Sequence, residues 1–207
     1  MANRRDLVKC VRQGIEYGQE RYEQISDGCW VYEGAEYWLT VHVALGLCEL
    51  VGDGLVTVEG QTNETMATAG RRRGRTPLII DGKRFDIVLW YKNGAARAPI
   101  EIKMKHSLQG QRKDIINDAK RVIAALKRSE INFGIVGYYY SADKAEIKAA
   151  TKRVKSFVKG LTTECKKYEE QTEERSIRIS SHLGKIHGDK EYAWIAGCLL
   201  IEEKQTA

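Results

Sequence analysis

The segment RFDIVLWYKNGAARAPIEIKMK, residues 84–105, contains acidic and basic side chains at a spacing that suits chemistry on a divalent cation. Its first half predicts a strand on which Asp86 shares a face with Val88 and Trp90. A carboxylate among such apolar neighbours must be paired, hydrogen-bonded or bound to a metal, or it takes up a proton. The opposite face of this strand is predicted to carry Phe85, Ile87 and Leu89.

The second half of the segment, PIEIKMK, alternates apolar and charged residues and predicts a second strand. Taken alone, this alternation is also typical of a strand with one solvated face. If the two strands are neighbours, however, Asp86 and Glu101 come close together and repel each other unless a cation lies between them. Carboxylate oxygens suit Mg²⁺ or Mn²⁺. The charged face is predicted to carry Glu101, Lys103 and Lys105, and the apolar face Ile100, Ile102 and Met104.

An acid on one strand, followed after a hairpin by Glu-x-Lys on the next, resembles the motif of the PD-(D/E)XK nuclease superfamily. Fourteen residues lie between Asp86 and Glu101, a comfortable length for a hairpin. The family core is a helix, a three-stranded meander, a crossover helix and a fourth strand, and residues 33–140 match this order. Phe85 stands where the family motif has its proline, a position that varies widely among members.

The resemblance implies a metal site and a role for each residue in it. Asp86, Glu101 and the backbone carbonyl of Ile102 would hold Mg²⁺ or Mn²⁺, which neutralises negative charge on the phosphate and acidifies a bound water. Lys103 would orient the attacking water or help to deprotonate it, and would steady the developing charge.

Many members of the family also carry a glutamate on the first helix. Glu36 is the best match and would complete the metal shell, directly or through water, with Glu33 and Glu49 as alternatives. A polar residue often follows the lysine strand at the crossover helix, and Gln109 or Gln111 could occupy that position.

The basic balance of the chain, with a formal net charge of +6, weakly favours an anionic partner. Residues 61–77 contain the segment AGRRRGRTP, whose glycines and proline predict a loop or a hairpin arm rather than a packed element. We expect its arginines to contact phosphates near the site, together with Lys105 of the adjacent strand. The arginines are Arg71, Arg72, Arg73 and Arg75.

The hydrophobic pattern along the chain predicts an α/β fold with a central mixed β-sheet flanked by helices, in the core order α-β-β-β-α-β. The resemblance implies that this is the restriction endonuclease-like fold. Ser141 or Asp143 is expected to cap the long helix near the C-terminus. The predicted helices are 4–25, 33–52, 108–129 and one reaching about 172; the predicted strands are 54–60, a hairpin over 77–91 turning at Asp81-Gly82, then 98–105, 131–140, 176–183 and 192–203.

We expect one nuclease-like domain over residues 1–207, with its core at about 33–140 and a C-terminal helix and strand pair over about 141–203. Five scattered cysteines without a Cys-x-x-Cys pair favour free thiols in a reducing compartment. The charged N-terminus and the absence of an apolar run of roughly 20 residues predict a cytoplasmic protein without a membrane anchor. A homodimer is possible, through the helix over 143–172 or the last strand.

The sequence therefore predicts a Mg²⁺-dependent nuclease that hydrolyses phosphodiester bonds, foremost a DNA endonuclease of restriction, repair or mobile-element type, with RNA as an open substrate. The alternative is a non-catalytic nucleic-acid- or protein-binding module on the same fold, which would not need all the acids. The chain has no Gly-x-x-x-x-Gly-Lys or Gly-x-Ser-x-Gly motif, which argues against an ATP-driven machine and a serine hydrolase.

Overall fold

The computed structural model describes residues 2–31, 34, 36–52, 55–70, 83–106, 112–171 and 177–204. Within these residues, seven strands form one mixed sheet with helices on both faces, so the predicted α/β class is confirmed. The elements in chain order are α1 (Arg4–Ile25), α2 (Glu36–Val51), β1 (Val56–Gln61), α3 (Thr62–Thr68), β2 (Arg84–Trp90), β3 (Ala96–His106), α4 (Arg112–Arg128), β4 (Phe133–Asp143), α5 (Ile147–Gln171), β5 (Ile177–Leu183), β6 (His187–Asp189) and β7 (Tyr192–Glu203).

The strands lie in the order β1-β2-β3-β4-β7-β5, with β6 paired to one end of β7. The first three form an antiparallel meander, and α4 carries the chain over to β4, which pairs parallel to β3. The predicted mixed sheet and the crossover through this helix are therefore confirmed. The predicted C-terminal strand pair, β5 and β7, joins the same sheet because β7 pairs antiparallel with β4.

Helices cover both faces of the sheet. Helices α1 and α2 pack on one face and helices α4 and α5, with the short α3, on the other, and β4 is buried between the two layers. This explains why β4 has a nearly continuous apolar sequence, since a central strand has no solvated face. Among the described helices, none is both long enough and apolar enough to cross a bilayer.

Helix α3 lies where the sequence predicts a loop. Thr62 and Thr65 are buried, and their hydroxyls donate to the carbonyls of Lys83 (2.8 Å) and Gln61 (2.9 Å), respectively. The bond to Lys83 is a tertiary contact and the bond to Gln61 is local; together with burial they offset the weak helix propensity of threonine. Residues 71–77 of that loop, and the turn predicted at residues 81–82, lie outside the described residues; the strand that pairs with β2 on this side is β1.

The predicted helix cap at Ser141 or Asp143 is wrong. Both residues belong to β4, where they pair with Trp194 and Tyr192, and α5 begins only at Ile147. The twelve-residue strand β7 extends the ladder with β4 to this point. Pairing with a distant part of the chain decided this boundary, and the local capping signal did not.

The contact between α1 and α2 yields a test of how closely these helices must pack. A methyl group on Gly14 would lie 2.7 Å from the backbone Cα of Val43, whereas one on Gly46 would meet only the Cys10 sulfur at 3.3 Å. Alanine suits a helix interior better than glycine by about 1 kcal/mol. Gly14→Ala should nevertheless lower the free energy of unfolding by about 1–3 kcal/mol, because the backbone of α2 must move.

Thermal unfolding measures the effect, with a fall of about 2–4 °C in Tm for each kcal/mol lost. Gly46→Ala is the matched control and should keep or raise the Tm. A Gly14→Ala protein as stable as the control would show that the two helices are not packed this closely.

Candidate active site

The site lies where β2 and β3 stop pairing. Their ladder includes Ile87 opposite Ile100 and does not continue to Asp86, while β3 goes on pairing with β4 as far as His106. Backbone N–H groups on the open side of β3 therefore need other acceptors. Two carboxylates act as these acceptors.

The N–H of Ile102 donates to Oδ2 of Asp86 at 2.7 Å, and the N–H of Met104 donates to Oε2 of Glu36 at 2.7 Å. One carboxylate comes from β2 and the other from the first residue of α2. The side chains thus replace main-chain carbonyls of a neighbouring strand, and this holds each acid in a defined place beside β3.

The backbone next to Asp86 is irregular. The pairing of β1 with β2 skips the position of Glu59, which has a φ of 57°. Phe85 packs with the residues on the α4 side of the sheet, whereas Ile87 and Leu89 pack on the α1 side. The predicted shared face for Phe85, Ile87 and Leu89 is therefore wrong for Phe85, because regular alternation stops here.

The two faces of β3 follow the predicted alternation. Its apolar side chains pack toward α1 and α2, and its charged side chains face α4, where each has an oppositely charged partner. The apolar residues are Ile100, Ile102 and Met104; the charged ones and their partners are Glu101 with Arg121, Lys103 with Asp118, and Lys105 with Asp114.

Glu101 is the most deeply buried acid of the site, with a side chain only 1% exposed. Nη2 of Arg121 contacts its Oε2, and the same guanidinium lies 3.4 Å from Oδ1 of Asp118. Oε1 of Glu101 is buried and receives no hydrogen bond from an N–H within the described part of the chain. Asp86 lies near enough for a hydrogen bond between the two carboxyl groups when one is protonated.

Lys103 connects the acids of α2 with those of α4. Its Nζ donates to Oε1 of Glu36 at 2.9 Å and lies 3.6 Å from Oδ2 of Asp118. Burial alone would lower the pKa of Lys103, but the hydrogen bond and charge of Glu36, with the charges of Asp118 and Asp86, outweigh it and raise the pKa. The ammonium is therefore held in its charged form.

The structure distinguishes Glu36 from Glu49. Glu36 reaches the site, as described above, whereas Glu49 is exposed near the other end of α2 and faces Cys10 of α1. Glu33 lies outside the described residues, as do Gln109 and Gln111. The structure therefore brings together Glu36, Asp86, Glu101 and Lys103.

Sequence reasoning missed Asp118 and Arg121 of α4. A signal for the first was present, because Asp118 falls on the same helical stripe as Ile115, Ala119 and Val122 and is buried with them. An acid on an apolar stripe requires a partner. Nothing in the sequence indicated that Arg121 would face Glu101.

Burial raises the pKa of each acid that faces the centre of the site. It raises the pKa of Asp86 despite the N–H of Ile102 and the charge of Lys103, and that of Asp118 despite Lys103 and Arg121. For Glu101, burial raises the pKa well above the usual range despite Arg121. The neighbouring cations therefore do not fully compensate the charge of these buried carboxylates.

A count of charges gives the same result. With every group ionised, the four acids Glu36, Asp86, Glu101 and Asp118 face the two cations Lys103 and Arg121, which leaves an excess of two negative charges. One divalent cation, or two protons, would balance it. Such hard oxygen donors fit Mg²⁺.

Within the described residues, no group of three or more His, Cys, Asp and Glu side chains is arranged to hold a metal ion. Lys103 and Arg121 engage Glu36, Asp118 and one oxygen of Glu101, Oε2. Among the described residues, Oε1 of Glu101 and the carboxylate of Asp86 have no ion-pair partner, and this pair matches the one or two carboxylates through which Mg²⁺ commonly binds while it keeps several waters. The donors therefore fit this ion.

The predicted nucleic-acid contacts are only partly described. Lys105 is 17% exposed and forms an ion pair with Asp114 at 2.5 Å, so its charge is already compensated within the protein. Arg71, Arg72, Arg73 and Arg75 lie outside the described residues.

Comparison with known proteins provides no assignment. No protein-family model matches the chain, and no curated protein or solved structure shows significant similarity to it.

The raised pKa of Glu101 predicts how stability depends on pH without metal. The Glu101 carboxyl has a pKa of 4.5 in the unfolded chain and a higher pKa in the folded protein. Below pH 4.5 it is protonated in both states and does not affect stability. As the pH rises from there through the folded-state pKa, the carboxyl destabilises the folded protein increasingly, because the unfolded chain loses this proton more readily. The neutral Glu101→Gln variant lacks this titration. Its free energy of unfolding relative to wild type should therefore increase between about pH 4 and pH 8 in EDTA.

Urea denaturation at several pH values measures this difference. Glu49→Gln, an exposed glutamate on α2, is the control and should show no such trend. A Glu101→Gln difference that stays flat or falls with pH would contradict the description of Glu101 as a buried acid short of positive charge.

Proposed function

We propose that this chain is a Mg²⁺-dependent nuclease that hydrolyses phosphodiester bonds in DNA, on a restriction endonuclease-like fold. One observation carries the proposal: Asp86, Glu101 and Lys103 converge with Glu36 at the point where β2 and β3 separate. The element order α2-β1-β2-β3-α4-β4 supports the fold assignment, with the short α3 inserted after β1.

The cation would be held by Asp86, Glu101 and the carbonyl of Ile102. In a strand the N–H and C=O of one residue point toward the same neighbour, so the Ile102 carbonyl faces the gap that β2 leaves. When bound, Mg²⁺ supplies positive charge to the phosphate oxygens and lowers the pKa of a coordinated water.

Lys103 is suited to act as a hydrogen-bond donor. Because its pKa is raised, the ammonium keeps its proton near neutral pH and can orient the attacking water or stabilise charge on the phosphate. Glu36 fixes the direction of the Lys103 side chain through the bond at 2.9 Å. A group other than Lys103 must therefore take the proton from the attacking water.

The ion pair between Glu101 and Arg121 favours a second candidate, a non-catalytic nucleic-acid- or protein-binding module on the same fold. An acid already paired with a protein cation has less need of a metal. The excess of two negative charges favours the nuclease, because Arg121 and Lys103 do not balance the four acids. Stoichiometric binding of Mn²⁺ separates the two candidates.

Cleavage of plasmid DNA tests the proposal directly. Wild type should nick or cut DNA in Mg²⁺ or Mn²⁺ and stop in EDTA. Asp86→Asn, Glu101→Gln and Lys103→Ala should each lower the rate at least about 100-fold, because each removes a ligand or donor at the reacting phosphate.

Glu49→Gln and Lys9→Ala, exposed on α2 and α1, are charge-matched controls and should cleave like wild type. If all three site variants also cleave like wild type, the assignment is wrong. An RNA of the same sequence, used as substrate and competitor, shows which nucleic acid is preferred.

Glu36 has a separate test because the same helix offers a matched control. Glu36→Gln should weaken Mn²⁺ binding about tenfold in isothermal titration calorimetry, since Glu36 places Lys103 and part of β3 beside the metal ligands. Glu49→Gln should bind like wild type, and Asp86→Asn should lose stoichiometric binding. Unaltered affinity in Glu36→Gln would remove Glu36 from the metal site; no binding by wild type would favour the binding module.

A further inference from the structure

A basic cavity of about 460 Å³ lies between the start of α4 and the middle of α5. Its lining includes three cationic side chains and one acidic side chain, so its net charge is positive. The cations are Arg112, Lys113 and Arg153, and the acid is Glu164. None of these residues belongs to the metal site, and their charge suits an anion.

The position of Arg112 is set by two features of α5. Its Nε donates to Oε1 of Glu164 at 2.6 Å, which holds the guanidinium while its terminal nitrogens can still bind a ligand. A methyl group on Gly160 would lie 2.5 Å from Nη1 of Arg112, so only glycine leaves room for the guanidinium against the helix. Glycine is otherwise unfavourable within a helix.

Two aromatic side chains are among the residues that line the cavity. The rings of Tyr140 and Phe157 are stacked, with their centroids 3.7 Å apart and their planes at 4°. Arg153 forms a hydrogen bond with the Tyr140 hydroxyl. Two arginines from different helices are thus held at one cavity, an arrangement suited to the oxygens of a phosphate group.

The cavity lies on the same face of the sheet as the candidate metal site. Tyr140 is the register partner of Lys105, which lies four residues beyond Glu101 on the same face of β3. At about 3.3 Å per residue, Lys105 is about 13 Å from Glu101 along β3, and the cavity lies beyond it on the next strand and the helices above. A polynucleotide strand needs several nucleotides to reach from one to the other.

We propose that this cavity binds a backbone phosphate of a polynucleotide, several nucleotides from the bond that is cleaved. The inference rests on the proposed function and specifies its substrate class: a strand long enough to occupy both the metal site and the cavity. Arg112 and Arg153 bind the phosphate, and Gly160 allows Arg112 to reach it.

Fluorescence anisotropy with a labelled twelve-nucleotide DNA in EDTA measures binding without cleavage. Arg153→Ala should weaken binding about tenfold and reduce the slope of log affinity against log salt concentration by about one. Arg178→Ala, which removes the same charge from an exposed position on β5, is the control and should change neither quantity. Equal affinity of wild type and Arg153→Ala, or no binding by wild type, would overturn the proposal.

Gly160→Ala separates binding from folding. Alanine is the better helix former, so the Tm should not fall, but its methyl group displaces Arg112 and should weaken DNA binding about as much as Arg153→Ala does. Weaker binding at an unchanged or higher Tm supports the proposal. A lower Tm, or an unchanged affinity, counts against the placement of Arg112.

Oligonucleotide length provides a separate measurement by cleavage. Wild type should cleave an eight-nucleotide strand more efficiently than a three-nucleotide strand, and Arg153→Ala should reduce this difference. If the site variants abolish cleavage but the cavity variants bind DNA normally, the cavity proposal fails and the nuclease stands. If no condition gives cleavage but Arg153→Ala and Gly160→Ala lose affinity, the nuclease fails and the cavity remains a nucleic-acid site.

Discussion

The candidate site depends on an interruption in the backbone ladder between β2 and β3. Beyond the pair of Ile87 and Ile100, β3 retains β4 on one side but has lost its neighbour on the other. Buried N–H groups cannot be left without acceptors. Asp86 and Glu36 supply these acceptors, and this requirement places two acids from separate elements beside the open side of β3.

The same arrangement concentrates charge in a buried place. Glu101 and Asp118 add two acids to those beside the open ladder, and within the described part of the chain only Lys103 and Arg121 oppose them. Burial then favours the protonated acids, as their raised pKa values show. A protein that retains such an arrangement gives up stability, which is common where a site must bind a cation or stabilise charge.

Local pattern was enough to predict most elements and both faces of β3, because alternation along a strand depends only on its geometry. Where distant contacts decide, local pattern was insufficient. Helix α3 begins where Thr62 is buried and bonded to the carbonyl of Lys83, just before β2. The cap predicted at Ser141 or Asp143 is replaced by pairing with β7. The irregular backbone at Glu59, which lies beside Asp86 in the pairing of β1 with β2, also places Phe85 on the face that packs against α4.

The sequence by itself determined the candidate acids and the lysine, since their types and spacing on two predicted strands limit where charge can lie. It also identified Glu36 as one of three possible helix glutamates. Only the tertiary structure decided that Glu36 reaches Lys103 and Met104, and that Arg121 of α4 faces Glu101. These contacts join residues far apart in the chain, and their positions depend on how helices pack on the sheet, which no local periodicity encodes.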